Sequence, residues 1–262
     1  MCGIVGAVCN RDVFGILIEG LKRLEYRGYD SAGLSLIDAN SYLNTQKTIG
    51  RVADLEDLFN GEIPNGGLGI AHTRWATHGV PSSANSHPHT SGSISVVHNG
   101  IIENHNLLKK ELRDRGATLS SETDSEVIAH LIEFYSSETG SLKEAVDKTL
   151  SRLEGAYAIC VISKDYPDKM IGARSGSPLV IGLGIGEHFM ASDQMALRQV
   201  TDRFIYLEEG DVAEVSKNEI SVFDDNGELV EREINQINES DFLSEKGEYK
   251  HFMLKEIFEQ PR

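Results

Sequence analysis

Cysteine is scarce in this sequence: Cys2, Cys9 and Cys160 are the three among 262 residues. An odd, sparse set without a CxxC pair excludes a disulfide scaffold and a thiolate zinc site, and it predicts a reducing, cytoplasmic setting. Positive charge is also short, with 25 Lys and Arg against 41 Asp and Glu and a formal net charge of −16. That balance speaks against a nucleic-acid partner and against an anionic membrane surface. No apolar run is long enough to span a bilayer. The short one at the start lacks a basic segment before it, so no signal peptide is expected. There is one tryptophan, Trp75, and we find neither internal repeats nor low-complexity segments. The length suits one large α/β domain or two small ones and does not choose between them.

What is present starts at Cys2, directly behind the initiator methionine in Met-Cys-Gly-Ile-Val-Gly-Ala-Val. Cysteine is small enough to permit removal of Met1, which would leave one residue carrying both a thiol and a free α-amine. The two groups ordinarily titrate at roughly 8.5 and 7.7–8, so a proton passes between them near neutral pH at little cost. A thiolate is a strong nucleophile, and an N-terminal residue that supplies its own base is a known form of the nucleophile–base pair. The competing reading is a buried strand that happens to begin with Cys.

Residues 2–9 read as a strand, and Asp12 is placed to cap a following helix on which Val13, Ile16, Leu17, Leu21 and Leu24 recur at helical spacing. Further strands are expected at 34–37, 68–72 and 94–98, the last two flanking a loop from Thr73 to Thr90. Helices follow at about 104–114, 124–136 and 141–152. The second opens on Thr123-Asp124-Ser125-Glu126, the pattern of a capping box. Short strands are expected at 157–163, 179–183, 188–191, 204–207, 211–215 and 219–223. Strands, then helices, then strands again predict two stacked sheets with helices outside them.

The loop His72-Thr73-Arg74-Trp75-Ala76-Thr77-His78-Gly79 gathers a fixed cation, the lone indole and a glycine. Arg74 offers a planar fork suited to a carboxylate; the alternative is a surface Arg beside a packed Trp. Asn99-Gly100 offers two N–H donors for an oxyanion hole, or it is a hairpin turn. Asp124 either complements a helix dipole or receives a substrate ammonium. The histidines at 72, 78, 87, 89, 98 and 105 raise a metal site, but His87-Pro88-His89 lacks zinc spacing, and polar core or loop histidines are the better reading. Ser175-Gly-Ser-Pro178 and Ile181-Gly-Leu-Gly-Ile-Gly186 are glycine-rich without matching a phosphate-binding loop.

Seven segments, in order along nearly the whole chain, carry a resemblance. They are CGIVGAV from Cys2, LEYRGYDSAG from Leu24, HTRWATHG from His72, HPH from His87, HNGIIENH from His98, SETDSEVIAH from Ser121 and RSGSPLVIGLG from Arg174. Together they resemble the N-terminal-nucleophile glutamine amidotransferases. YRGYDSAG with HTRWATHG looks most like the glutaminase half of the glutamine–fructose-6-phosphate aminotransferase branch. The resemblance implies an α+β fold, a four-layer αββα sandwich of two antiparallel sheets. It implies that Cys2 attacks the glutamine amide, that Asn99 and Gly100 hold the oxyanion, and that Arg74 and Asp124 hold the α-carboxylate and α-ammonium. Thr77 and His78 would line the site, the loop bearing Trp75 would close over it, and Arg27 and His87 would support it. No cofactor and no metal is implied.

That branch continues past a segment like Glu-Ile-Phe-Glu-Gln-Pro into a sugar-isomerase half, whereas this sequence ends at Arg262. Residues 2–235 are therefore expected to form the glutaminase domain, and 236–262 a tail or the start of a linker. The expected partners are L-glutamine and a sugar-isomerase domain, with a homo-oligomer left open. An amidotransferase subunit serving another synthase, or an idle glutamine-binding module, would carry many of the same residues.

Overall fold

A computed structural model describes residues 2–59, 65–76 and 78–237. The chain begins with β1 (Gly3–Cys9), α1 (Phe14–Leu24), β2 (Ser31–Ile37), β3 (Leu43–Ile49), α2 (Val52–Asp57) and β4 (Leu68–Arg74). It continues through β5 (His89–Ser91), β6 (Ile94–Ile102), α3 (His105–Asp114), α4 (Glu126–Ser136) and α5 (Leu142–Leu150). A strand-rich run follows: β7 (Gly155–Ser163), β8 (Tyr166–Ser175), β9 (Val180–Leu183), β10 (Glu187–Ala191) and β11 (Arg203–Tyr206). The described part closes with β12 (Val212–Ser216), β13 (Ile220–Phe223), β14 (Leu229–Val230) and β15 (Ile234–Gln236).

The strands form two antiparallel sheets, ordered β15-β11-β9-β10-β1-β4-β2-β3 and β14-β13-β12-β8-β7-β6-β5. Alternation along β1 shows how they stack. Ile4 and Val8 join a core that also holds Ile70 of β4, Val97 of β6, Cys160 of β7 and Met170 of β8, so this core lies between the sheets. Val5, Ala7 and Cys9 point the other way, into a core shared with Leu17, Leu21 and Leu24 of α1 and Val52 of α2. A third core packs α3, α4 and α5 against the far face of the second sheet, through Val96, Ile159 and Ile171. The result is the four-layer αββα sandwich. With both faces covered, β1 is buried at every position, which is why it reads as a continuous apolar run and not as an alternating strand.

Several expectations needed correction. Asp12 does receive the N–H of Phe14 at 3.0 Å. The capping box does not form: α4 begins at Glu126 after Ser125, with no side-chain cap. Glu126 instead turns back to accept the N–H groups of Ser120 and Ser121 at 2.8 and 2.7 Å. Asp124 thus precedes the helix and does not lie in its first turn. Asn99-Gly100 is not a hairpin turn, because β6 runs through it to Ile102. At Gly100 the backbone has φ +136°, and an added Cβ would lie 2.0 Å from the carbonyl oxygen of Ala156. No residue with a side chain fits there. The loop expected from 73 to 90 begins later, after Arg74, and ends in the short β5. Of the tail expected at 236–262, Gln236 belongs to β15 and Ile237 packs against the core beneath α1. The rest lies outside the described residues.

Buried polar side chains gather at one end of the sandwich: His72 points between the sheets, His89 and His98 share the face of Val96 toward α4, and His87 lies among them. The His87 ring lies tilted against His72 at 4.1 Å and edge-on to His89 at 4.7 Å between centroids. Burial pushes the His72 ring down to about 3 and holds His87 and His89 well below the ordinary histidine range. His98 is lowered by burial too, against the opposing pull of Asp124. The four rings are therefore neutral in the folded protein at neutral pH. Unfolding frees them to take up protons below about pH 6.5. Their stabilising effect is thus complete above that pH and declines as pH falls, by up to about 1.4 kcal/mol per pH unit for each ring. Urea unfolding midpoints measured from pH 7.5 to 5 are expected to start falling near pH 6.5 and to fall more steeply below pH 6. A flat profile down to pH 5 would contradict neutral burial.

Candidate active site

Both sheets deliver backbone to one place. Gly3 pairs with Thr73 in the β1–β4 ladder, which sets Cys2 just before β1 beside the chain leaving β4. The N–H of Trp75 points at Cys2 Sγ at 3.2 Å, and the thiol faces the Trp75 carbonyl at 3.6 Å. From the opposite sheet, Asn99 Nδ2 donates to the Cys2 carbonyl oxygen at 3.2 Å. Cys2 therefore sits where the two sheets face each other. Burial pushes its thiol above the ordinary value, while the Trp75 N–H and the Arg74 charge pull it back. At rest the group is a thiol, and a proton acceptor must take its proton for it to attack.

Arg74, the last residue of β4, is buried at 4% exposure. A buried guanidinium needs its charge answered. Its Nη2 donates to the carbonyl of His78 and, at 3.0 Å, to that of Gly79, while Nη1 lies 3.7 Å from Asp30 Oδ1. Nη1 has no hydrogen-bond partner among the described residues. Asp30 in turn accepts the Ala76 N–H and the Ser31 hydroxyl, so the start of the loop and the cation are fixed together. One Arg74 nitrogen is thus left without a hydrogen-bond acceptor among the described residues.

Asp124 is held from behind: its Oδ2 accepts the N–H of Ile102 at 2.8 Å, tying it to the end of β6. Its Oδ1 lies 3.9 Å from His78 Nδ1. Trp75 is half exposed at 52%. Its ring lies over Gly28, where φ is +84° and a Cβ would fall 2.0 Å from the indole. The glycine of Tyr-Arg-Gly-Tyr is thus the floor beneath the tryptophan.

A cavity of about 520 Å³ joins these groups. Cys2, Arg27, Arg74, Trp75, His78, His87, Asn99, Gly100 and Asp124 all line it, so nine of the ten residues singled out in the sequence meet at one place. The tenth, Thr77, lies outside the described residues. Arg27, which lines the cavity, is ion-paired with Asp193. Both ring nitrogens of His87 lack partners among the described residues.

Sequence reasoning missed several residues. Ser192, at the end of β10, lines the cavity and accepts the Ile4 N–H at 3.0 Å. Ser177 and Pro178 border it, and Thr123 and Ser125 complete the wall around Asp124. Asp193 and Asp30 act behind it. Only the flanking motifs, RSGSP, YRGYD and SETDS, marked any of these positions; nothing distinguished Ser192-Asp193 from an ordinary strand end. The glycine-rich Ile181–Gly186 segment is the end of β9 and the turn into β10. Among the described residues no group of three or more His, Cys, Asp or Glu is placed to hold a metal ion. No helix among the described residues is long and apolar enough to cross a membrane.

Residues 72–199 match the model of a glutamine amidotransferase domain. Over its whole length the chain is similar to proteins named glutamine–fructose-6-phosphate aminotransferase [isomerizing]. It is 58% identical over 261 residues to that of Vibrio vulnificus strain CMCP6 and 56% identical over 262 residues to that of Pseudomonas putida. The chain spans 43% of the length of each of these relatives. Among solved structures, glutamine phosphoribosylpyrophosphate amidotransferase from B. subtilis, complexed with ADP and GMP, aligns at TM-score 0.69 and 27% identity. That alignment covers 91% of this chain and 50% of the other. A class-II glutamine aminotransferase domain protein from Silicibacter pomeroyi shares the fold at TM-score 0.56 and 14% identity, over 85% of this chain and 99% of its own. The chain belongs to the N-terminal-nucleophile glutamine amidotransferases, in their glutamine–fructose-6-phosphate aminotransferase branch.

Proposed function

We propose that this chain hydrolyses the side-chain amide of L-glutamine to glutamate and ammonia through a thioester on Cys2. The observation that carries the reading is the convergence of a thiol, a buried guanidinium with a spare donor, a carboxylate and an Asn-Gly pair on one cavity. A zwitterionic amino acid with a side-chain carbonyl needs those four elements around a nucleophile. Arg74 receives the α-carboxylate and Asp124 the α-ammonium, with His78 beside it. The side chain then extends toward Cys2.

Removal of Met1 frees the Cys2 α-amine. The thiol proton passes to that amine as sulfur attacks the amide carbon. The resulting oxyanion is held by Asn99 Nδ2 and the Gly100 N–H. Asn99 already spends one amide hydrogen on the Cys2 carbonyl, which leaves the other for the oxyanion. The amine then returns the proton to nitrogen, ammonia departs and the acyl–sulfur bond remains. Water attacks that thioester by the same route, glutamate leaves and the thiol is restored. Trp75, Thr77, Arg27 and His87 shape the cavity around this path, and no cofactor takes part in it.

The names of the similar proteins extend the proposal. The ammonia is used to aminate fructose 6-phosphate, giving glucosamine 6-phosphate, on a sugar-isomerase part that these residues do not include. The setting is the cytoplasm, in keeping with three cysteines that are all unpaired. The core shared by the two sheets and the two cores outside it support residues 2–235, with Gln236 and Ile237 added, as the unit that performs the glutamine step.

Three variants test the roles through glutamate release. Cys2→Ala is expected to abolish it. Asn99→Ala removes one oxyanion donor and should lower turnover about 10²–10³-fold. Arg74→Lys keeps the charge but loses the fork, and should raise KM about tenfold or more with a smaller change in kcat. An Asn99→Ala protein that keeps most of its turnover would remove Asn99 from the oxyanion hole. An Arg74→Lys protein with unchanged KM would remove Arg74 from carboxylate binding.

A further inference from the structure

Asn99 can serve an oxyanion only if its amide faces the right way. A side-chain amide turned by half a revolution presents its oxygen where its nitrogen was, at nearly the same shape. In this structure the choice is enforced from both ends. Asn99 Nδ2 lies 3.2 Å from the Cys2 carbonyl oxygen, which can only accept. Asn99 Oδ1 therefore points the other way, and there it meets His72 Nε2 at 2.9 Å. With a carbonyl-type oxygen opposite, that ring nitrogen must carry the hydrogen.

His72 is fully buried. It lies on the same face of β4 as Leu68 and Ile70, which belong to the core between the sheets. Asn99 lies on the same face of β6 as Val97, a member of that same core. The bond thus spans the sandwich from one sheet to the other. Burial keeps the ring neutral, with its pKa pushed down to about 3. A neutral ring with hydrogen on Nε2 has a bare Nδ1, and that atom has no partner among the described residues. The backbone of His98 also acts on the ring, but no group makes a hydrogen bond to its Nδ1 among the described residues.

We propose that His72 is the positioning residue of the oxyanion hole: its Nε2–H, bonded to Asn99 Oδ1, locks the Asn99 amide with its nitrogen toward Cys2. The inference rests on the glutamine-hydrolysis reading above. A turned amide would place an oxygen against the developing negative charge, which is worse than an absent donor. The His72 bond also draws electron density toward Oδ1, which strengthens the Nδ2–H as a donor. His72 touches neither substrate nor sulfur in this scheme; it acts through Asn99.

Two measurements on the processed chain test this. In the first, the ¹⁵N shifts of the His72 ring, identified by their loss in His72→Gln, are recorded from pH 5 to 8. The expected result is a neutral ring protonated at Nε2 throughout. A ring protonated at Nδ1, or one that becomes doubly protonated in this range, overturns the proposal whether or not any variant folds. In the second, glutamine hydrolysis is compared among variants at saturating and limiting substrate. His72→Phe keeps a ring but loses the donor, and should lower kcat about tenfold to a hundredfold with KM changed less than about twofold. His72→Gln restores an N–H at similar reach and should recover most of the lost kcat. Adding His72→Phe to Asn99→Ala should produce little further loss, because the two act as one unit. Equal damage from Phe and Gln, or a full additional loss in the double variant, overturns the proposal. Wild-type protein that releases no glutamate would instead sink the hydrolysis reading and leave the ring measurement standing.

Discussion

Everything at this site depends on where Cys2 is held, and it is held by backbone from both sheets. The Trp75 N–H fixes the sulfur from the β4 side, and Asn99 fixes the carbonyl from the β6 side. A residue at the end of a chain is ordinarily among the least constrained in a protein. Here β1 anchors it from behind, paired on one side with β4 and on the other with β10. A central strand buried on both faces is as rigid a support as the fold can offer. As the proposed nucleophile, Cys2 gains precision from the strand and freedom of chemistry from its position before it.

The same end of the sandwich concentrates charge and polarity that the rest of the interior excludes. Arg74 is buried with loop carbonyls and Asp30 answering it, and Asp124 is tied to Ile102. Because Ile102 ends the strand that carries Asn99 and Gly100, the carboxylate and the Asn-Gly pair cannot shift independently. The buried histidines nearby stay neutral, so they add no charge, and His72 adds a hydrogen bond to Asn99. A chain with net charge −16 thus holds a buried guanidinium at this cavity, which suits the proposed binding of a carboxylate.

Much of this was legible in the sequence, and unevenly. The apolar runs of β1 and of β4, and the helical spacing of α1, marked their elements because burial on one or both faces leaves a periodic trace. β8 was missed because its first half, Tyr166-Pro167-Asp168-Lys169, is polar and largely exposed and contains a proline of the kind found near sheet edges. β3 was missed because an edge strand with a half-exposed face carries Asn, Thr, Gln and Lys. The helix start at Glu126 was misjudged because a Thr-x-x-Glu pattern says nothing of what else its carboxylate can reach. Asn99-Gly100 could not be told from a turn by local pattern alone, since the long β6 strand is set by its pairing with β7 and the Ala156 carbonyl that only glycine admits. The cavity residues themselves were found because chemistry at the ends of strands needs distinctive types. Their supports, Ser192, Asp193 and the bond from His72 to Asn99, depend on contacts across the sandwich that no local pattern records.

The most direct test of the account is an intact mass taken after brief exposure to a diazoketone analogue of glutamine, with and without excess glutamine. The account predicts a chain that has lost Met1 and gained one adduct at Cys2, with labelling suppressed by glutamine. A processed chain that stays unlabelled, or labelling that glutamine does not suppress, would contradict the claim that Cys2 is the nucleophile of a glutamine-shaped site.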